Sequence, residues 1–598
     1  MPTPLTIDEA NRAVFENPES PFYMVDGLHP HFKTPVKKFK NAPQNGTELW
    51  KNMATSFPNN EFVLYYDHVN KEEIRMTFSD VDAMVKKLAA ALVQHYGIKR
   101  GERVGLAMRN HPLWYAFHWA SVVAGGCSVP VNSWLTGEEM AWCVQDSGCK
   151  VILVDQDRYE RLLPNLKELQ AQGLEAVIFA GKGKAPAGTV SINDLLDAYG
   201  STREYPQITP PLHENDNMII MYSSGTTGRP KGVITHHGMW CFTTMAGLAG
   251  GMLALLRQGL DMPDPATVPL PSILAPVPLF HLTAYAFTLG VQLRGGKGVL
   301  MYKWDPSAAL ELMEKEKLTA FVGVPSMVWQ LMEEPTFSKR DLSAMTGLSF
   351  GGGPSSPEML QQTKQKFPVS TFKGNSYGVL IDVFLATECH GIATNVLEGY
   401  EKKPESVGVP PYYVEVKITN AEGTKIMPRG TPGEIWTKSC SVSKGYWRNE
   451  KATNEAFQNG FYKTGDVGRV DEDGYLFLMS RSKDMIIRGG ENIYCVEIEN
   501  ALAQHEAVIE ATVFGVEHRI MGEEVYAAAQ IRPEFVGKVT SESLREFLKA
   551  KIAGYKVPVY IDLRTEILTQ GHTNKVLKRA VKEEVMAKLK ATGEQARL

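Results

Sequence analysis

Eleven consecutive residues, Tyr222-Ser223-Ser224-Gly225-Thr226-Thr227-Gly228-Arg229-Pro230-Lys231-Gly232, carry what a loop needs to grip a polyphosphate. Glycines let backbone N–H groups turn toward an anion, the Ser and Thr hydroxyls add donors, and Lys231 adds a fixed positive charge. The flanks, Asn217-Met218-Ile219-Ile220-Met221 and Val233-Ile234, are short and apolar, so the loop is expected between two strands. That context differs from the Gly-rich loop that ends Gly-Lys-Ser/Thr and opens into a helix, because here Lys231 is followed by Gly232 and strand residues. A polar surface turn accounts for an isolated Ser-Ser-Gly but not for the whole run.

Further motifs follow in order: Pro278-Leu279-Phe280-His281, Gly351-Gly352-Gly353-Pro354, Ser376-Tyr377-Gly378 with Thr387-Glu388, Tyr462-Lys463-Thr464-Gly465-Asp466, Arg481-Ser482-Lys483-Asp484 and Gly489-Gly490-Glu491-Asn492-Ile493. Singly each has a bland explanation: Thr-Glu is a surface pair, Thr-Gly-Asp a polar turn, a lone His a structural one. Together and in this order they resemble the acyl-adenylate-forming (AMP-binding) superfamily, of the acyl-CoA synthetase and fatty-acid–CoA ligase type, over roughly residues 45 to 580.

The resemblance implies an acid-thiol ligase that uses ATP, Mg²⁺ and coenzyme A. Activation must bring two anions together, a carboxylate and the ATP α-phosphate, so positioning and charge neutralisation are the catalytic problem. Ser223, Ser224, Gly225, Thr226, Thr227, Gly228 and Lys231 would hold the β- and γ-phosphates. Gly352, Gly353, Pro354 and Tyr377 would hold adenine, and Asp466 with Arg481 the ribose hydroxyls. Glu388 would hold Mg²⁺, Thr387 would donate to the α-phosphate, and His281 would lie at the carboxylate. The catalytic lysine of the family matches Lys575 in Gly571-His572-Thr573-Asn574-Lys575, where Asn574 replaces the usual glycine and still tolerates a left-handed backbone. Lys578 lies close by, but Gly554-Tyr555-Lys556-Val557-Pro558 upstream sets the register on Lys575. Its ammonium would bridge carboxylate and α-phosphate as charge develops. Lys483 would be the hinge about which a small domain rotates between the two half-reactions, and Gly489 and Gly490 would line the coenzyme A thiol tunnel.

One segment departs from the family pattern. Eight residues, Val379-Leu380-Ile381-Asp382-Val383-Phe384-Leu385-Ala386, separate Gly378 from Thr387 where the family usually has one. A loop that bulges out and leaves Glu388 in place, or an artefact of the coding sequence, is favoured over a distorted, inactive site. Burial along the acid pocket is the alternative that keeps this apolar run out of water.

The leading expectation is a hydrophobic acid:CoA ligase, because the implied acid pocket, Trp240 to Thr244, Leu282 to Phe287 and Val322 with Gly323 to Pro325, contains no basic residue. Medium- to long-chain fatty acids lead and aryl or phenylpropanoid acids come second. A carrier-protein-loading adenylation enzyme is disfavoured because only 23 residues follow Lys575, and an inactivated nucleotide-binding relative rests on the insertion alone.

The elements that must position these residues are legible as alternation. Val104 to Met108, Lys150 to Val154 and Ala176 to Phe179 are expected strands, and the helices around Met84 to Leu92, Trp114 to Val123 and Tyr159 to Gln170 lie between or beside them. Alternating helices and strands predict an α/β fold with parallel sheets layered αβαβα. Residues 1–45 are expected to be an extended surface arm, 46–481 the adenylation domain with a β-rich subdomain at about 405–480, and 482–598 a small, mobile α+β lid carrying the lysine. At 598 residues, 43% hydrophobic and 22% charged with net charge −4, the composition points to small-molecule partners rather than nucleic acid. The seven cysteines are scattered without Cys-x-x-Cys spacing and read as small apolar residues. The N-terminus lacks a secretory signal, and Leu113 to Val131, interrupted by His118, Gly125, Gly126 and Pro130, is expected to be buried rather than transmembrane. The final Ala596-Arg597-Leu598 resembles a peroxisomal address, with a cytoplasmic location as the alternative.

Overall fold

A computed structural model describes residues 3–223, 229–260, 269–350, 357–367, 379–396, 399, 402–403, 405–489, 491–518, 520–571 and 576–592. Two large sheets dominate. In the seven-stranded one the order is Lys231–His236, Asn217–Ser223, Cys127–Pro130, Arg103–Ala107, Cys149–Val154, Ala176–Phe179 and Val190–Ser191. All its pairings are parallel except the first, where Asn217–Ser223 and Lys231–His236 run antiparallel. The eight-stranded sheet runs Cys389–Val396, Val379–Ala386, Gly347–Phe350, Ala320–Gly323, Ser272–Ala275, Lys297–Met301, Glu61–Asp67 and Glu72–Thr77. It is parallel in the middle and antiparallel at both edges.

The helices Phe78–Gln94 and Pro112–Val123 join the two sheets into one core. Every residue of the second from Trp114 to Val123 is buried, which explains a helix apolar all round rather than on one stripe. The first starts at Phe78, its cap two residues before the Ser79 cap that its sequence suggests, because Thr77 caps it with Asp80 in a capping box. Pro164 splits the helix expected over Tyr159 to Gln170 into Gln156–Leu162 and Leu166–Ala171 with a 3₁₀ turn between them.

Two expectations are corrected here. Residues 1–45 are not merely an extended arm: Ile7–Asn11 is helical, Met24–Leu28 pairs with Pro35–Phe39, and Val14, Phe15, Met24 and Phe39 are buried against Phe242. Val379–Ala386 is not an extruded loop. It forms a strand of the eight-stranded sheet, parallel to Gly347–Phe350 and antiparallel to Cys389–Val396, so backbone pairing on both sides absorbs the run.

Five antiparallel strands between Glu415 and Arg481 make a third sheet. A fourth, between Ile486 and Arg564, packs with the helices Cys495–Ala503 and Ser541–Lys549 around its own core of Ile498, Leu502, Val513, Val525, Leu544 and Ile561. The helix His237–Arg257 is long and apolar enough, with a mean hydropathy of 1.6, to cross a membrane by length and composition; its Met239, Trp240, Cys241 and Phe242 are enclosed by protein.

Candidate active site

Ser223 and Lys231 stand opposite each other at the open end of the hairpin that presents the Gly-rich loop, and the Ser223 hydroxyl donates to the Lys231 carbonyl at 3.4 Å. Ser224 to Gly228 lie outside the described residues, as do Gly352, Gly353, Pro354, Tyr377, Gly490 and Lys575. Behind the hairpin, Tyr222 donates to Asp146 at 2.7 Å and the Arg229 guanidinium lies over the Trp142 ring.

Thr387 and Glu388 form the turn between Val379–Ala386 and Cys389–Val396. This placement lifts a buried carboxylate to the end of the sheet, where the Tyr446 hydroxyl donates to Glu388 Oε1 at 2.9 Å. Tyr446 in turn lies beneath the Lys231 ammonium, which is 4.9 Å from its ring centre. The segment holding Tyr446 is laced to the hairpin: Val233 bridges Tyr446, and Trp447 N–H donates to the Gly232 carbonyl at 2.7 Å. On its other side Ser443 N–H donates to the Glu388 carbonyl at 2.8 Å.

Asp466 and Arg481 face each other on the antiparallel strands Phe461–Val470 and Leu476–Arg481, with Arg481 Nε 3.2 Å from Asp466 Oδ1. Burial pushes the Asp466 carboxyl up to about 6; Arg481 pulls it down, and the negative charge of Glu388 adds to the rise. The residue expected at the metal and the residue expected at the ribose are thus within electrostatic reach of each other.

His281 precedes the helix Leu282–Gln292, and its ring packs on Phe280 at 4.4 Å. Asn110 fixes this turn through Leu279 N–H and the Val277 carbonyl. Trp240 is fully buried rather than open to a cavity: its ring meets Tyr285 edge-on at 4.7 Å and His390 at 4.5 Å, and its Nε1–H donates to Thr235. His390, two residues after Glu388, hydrogen-bonds Thr243 at 2.9 Å. Thr244 is also buried and donates to the Cys241 carbonyl, and Val322 sits in a small core cluster with Ile273, Ala275 and Val291. At Gly323 a Cβ would come within 2.7 Å of the Phe321 ring.

Lys483 is exposed in the turn Ser482–Asp484, whose Asp484 N–H donates to the Arg481 carbonyl. Gly489 turns between the strands Ile486–Arg488 and Glu491–Ile493 with φ +60°, and a Cβ there would meet Met521 Cε at 2.8 Å. Lys578 is committed elsewhere, donating to Glu499 at 2.6 Å and to the Val513 carbonyl. Burial alone lowers its ammonium pKa, but the Glu499 carboxylate outweighs that and holds it above the usual lysine range.

The residues that sequence reasoning missed are Tyr446, His390 and Tyr285. Gly445-Tyr446-Trp447 had turn and aromatic character, but only folding places its ring between a lysine and a carboxylate.

The pattern of AMP-binding enzymes matches residues 50–447, and that of the C-terminal domain of the same enzymes matches residues 497–589. The chain belongs to the AMP-binding enzyme family and is an AMP-forming acyl-CoA synthetase. It is 29% identical over 565 residues to the mouse mitochondrial medium-chain acyl-CoA ligase ACSF2, covering 90% of this chain and 87% of that one. To the feruloyl-CoA synthase of an Amycolatopsis species it is 30% identical over 509 residues, covering 85% and 93%. Its fold matches that of ATP-bound MatB from Rhodopseudomonas palustris with a TM-score of 0.74 at 24% identity, over 90% of this chain and 99% of the other.

Proposed function

We propose that the enzyme activates a hydrophobic carboxylic acid, foremost a medium- to long-chain fatty acid, through acyl-AMP and transfers the acyl group to coenzyme A. The observation that carries this is the position of Glu388. It touches Tyr446 beneath Lys231, adds its charge to Asp466, and lies in the turn that leads into the strand of His390, which packs on Trp240. One carboxylate thus stands between the phosphate, ribose and acid arms.

Among the described residues no group of three or more His, Cys, Asp or Glu could hold a metal unaided. A Mg²⁺ bound largely by phosphate oxygens and water needs only one protein carboxylate, so Glu388, with Oε1 taken by Tyr446 and a second oxygen to offer, fits it. When bound, Mg²⁺ neutralises charge building up on the phosphates. Lys231 and Ser223 hold the pyrophosphate end, Asp466 accepts the ribose hydroxyls, and Lys575 supplies counter-charge to carboxylate and α-phosphate. No basic residue lies among Trp240 to Thr244, Leu282 to Phe287 or Val322 to Pro325, which supports an apolar tail over a dicarboxylate.

Release of AMP with a panel of straight-chain acids and hydroxycinnamic acids tests the substrate. The expected result is the highest kcat/KM for a medium or long saturated chain; a preference for ferulic-type acids replaces the fatty-acid assignment with the aryl one. Import into peroxisomes through Ala596-Arg597-Leu598 is proposed alongside, and a fusion that leaves this tail free should colocalise there and lose that location on its deletion.

A further inference from the structure

We infer that Tyr446 is a positioning residue of the adenylation step, holding Glu388 and Lys231 in fixed relation so that the metal and the triphosphate are received together. The inference rests on the proposed roles of those two residues and adds one that the motifs did not contain.

Three independent contacts carry it. The hydroxyl donates to Glu388 Oε1 at 2.9 Å, the ring face receives the Lys231 ammonium at 4.9 Å, and the backbone bridges Val233, in the strand that starts with Lys231. Neighbouring bonds stiffen the same segment on both sides: Lys444 N–H donates to Ile234, Ile234 N–H to Gly445, and Tyr446 N–H to the Thr453 hydroxyl. Phe457 packs edge-on against the Tyr446 ring, and Tyr462 lies tilted against Phe457 with ring centres 5.1 Å apart.

The simpler account is that a buried tyrosine must satisfy its hydroxyl and happens to meet a carboxylate. Two features argue for more. The partner carboxylate is the one at the turn, not one of the surface acids. The cation on the ring is the lysine of the phosphate hairpin. A carboxylate that ligates a metal is commonly oriented by such a hydrogen bond, and its loss typically weakens metal binding about 10- to 100-fold. A cation over an aromatic ring contributes less, on the order of 0.5–1 kcal/mol at an exposed site, or a few-fold in affinity.

Tyr446→Phe and Tyr446→Leu separate the two contacts, with Glu388→Gln as the reference. Calorimetric ATP binding with Mg²⁺ and with EDTA, the Mg²⁺ concentration for half-maximal ATP–pyrophosphate exchange, thioester formation from supplied acyl-AMP, and the melting temperature are measured for each. Tyr446→Phe keeps the ring and its packing. It should melt near wild type, need about tenfold more Mg²⁺, and weaken ATP binding with Mg²⁺ but not in EDTA, with the thioester step unchanged. Tyr446→Leu should in addition weaken ATP binding in EDTA a few-fold. A Phe variant with wild-type Mg²⁺ dependence beside a Glu388→Gln variant that shifts it overturns the inference and leaves the proposed function standing. An equal loss in both half-reactions overturns it as well. If Glu388→Gln leaves the Mg²⁺ requirement unmoved, the metal role of Glu388 fails and the inference falls with it.

Discussion

Asp466 shows how neighbours set the chemistry of a single side chain. Burial raises its carboxyl to about 6 against an ordinary 3.8, with Arg481 opposing and Glu388 assisting the rise. A raised carboxylate pKa means that the protonated form is the one folding favours. Its stabilising contribution is fully present below about pH 3.8 and is lost as the pH climbs through about 6. Asp466→Asn should therefore melt higher than wild type at pH 8, with the difference shrinking toward pH 4, while KM for ATP rises because a two-hydroxyl acceptor is gone. In the wild type KM for ATP should also rise as the pH falls below about 6. An Asn variant that melts lower at pH 8 contradicts this account of the site's electrostatics. At Lys575, substitution by Ala should suppress acyl-AMP formation by roughly 10²-fold or more while sparing thioester formation from supplied acyl-AMP. At this scale the sequence exposed residues whose types announce a ligand, such as Lys231 and Asp466. It hid Tyr446, because a tyrosine gains its role only from what folding brings to its two ends.

Among the elements, the segment Val379–Ala386 taught the most. Its apolar run read as an insertion, bulged out or buried along the acid pocket, yet the structure pairs it on both edges within the eight-stranded sheet, next to the strand that carries His390. Sequence spacing cannot show that, since an apolar run has the same pattern whether it is extruded or paired. Deleting Leu380 to Ala386 should therefore cost the fold: the variant should be aggregated or lack a cooperative melt. A soluble deletion with native melting and undiminished ATP turnover contradicts the strand assignment. The parallel strands, by contrast, were legible because strands covered on both faces are short and almost continuously apolar. Boundaries slipped where a local bond intervened, as with the Thr77 cap and the Pro164 break. In the C-terminal unit, Glu499→Gln leaves the half-buried Lys578 without its charge partner, and should lower the melting temperature of that unit by several degrees, since such unpaired ions are costly.

For the whole molecule, the two half-reactions must share one set of arms. The turn at Lys483 joins the third and fourth sheets directly after Arg481, so the residue proposed for the ribose and the start of the C-terminal unit are neighbours in the chain. Lys483→Pro and Gly490→Leu should both leave pyrophosphate release intact and slow acyl transfer to coenzyme A, the first by stiffening the turn and the second by obstructing the thiol. Loss of pyrophosphate release in either variant, with folding verified, contradicts a two-conformation cycle. The most direct test of the central claim is acid-dependent ATP–pyrophosphate exchange without coenzyme A, followed by addition of coenzyme A and identification of the products. The account predicts exchange with an apolar acid alone, then AMP and acyl-CoA in equal amounts once the thiol is present. No exchange with any acid, or ADP in place of AMP, would contradict it.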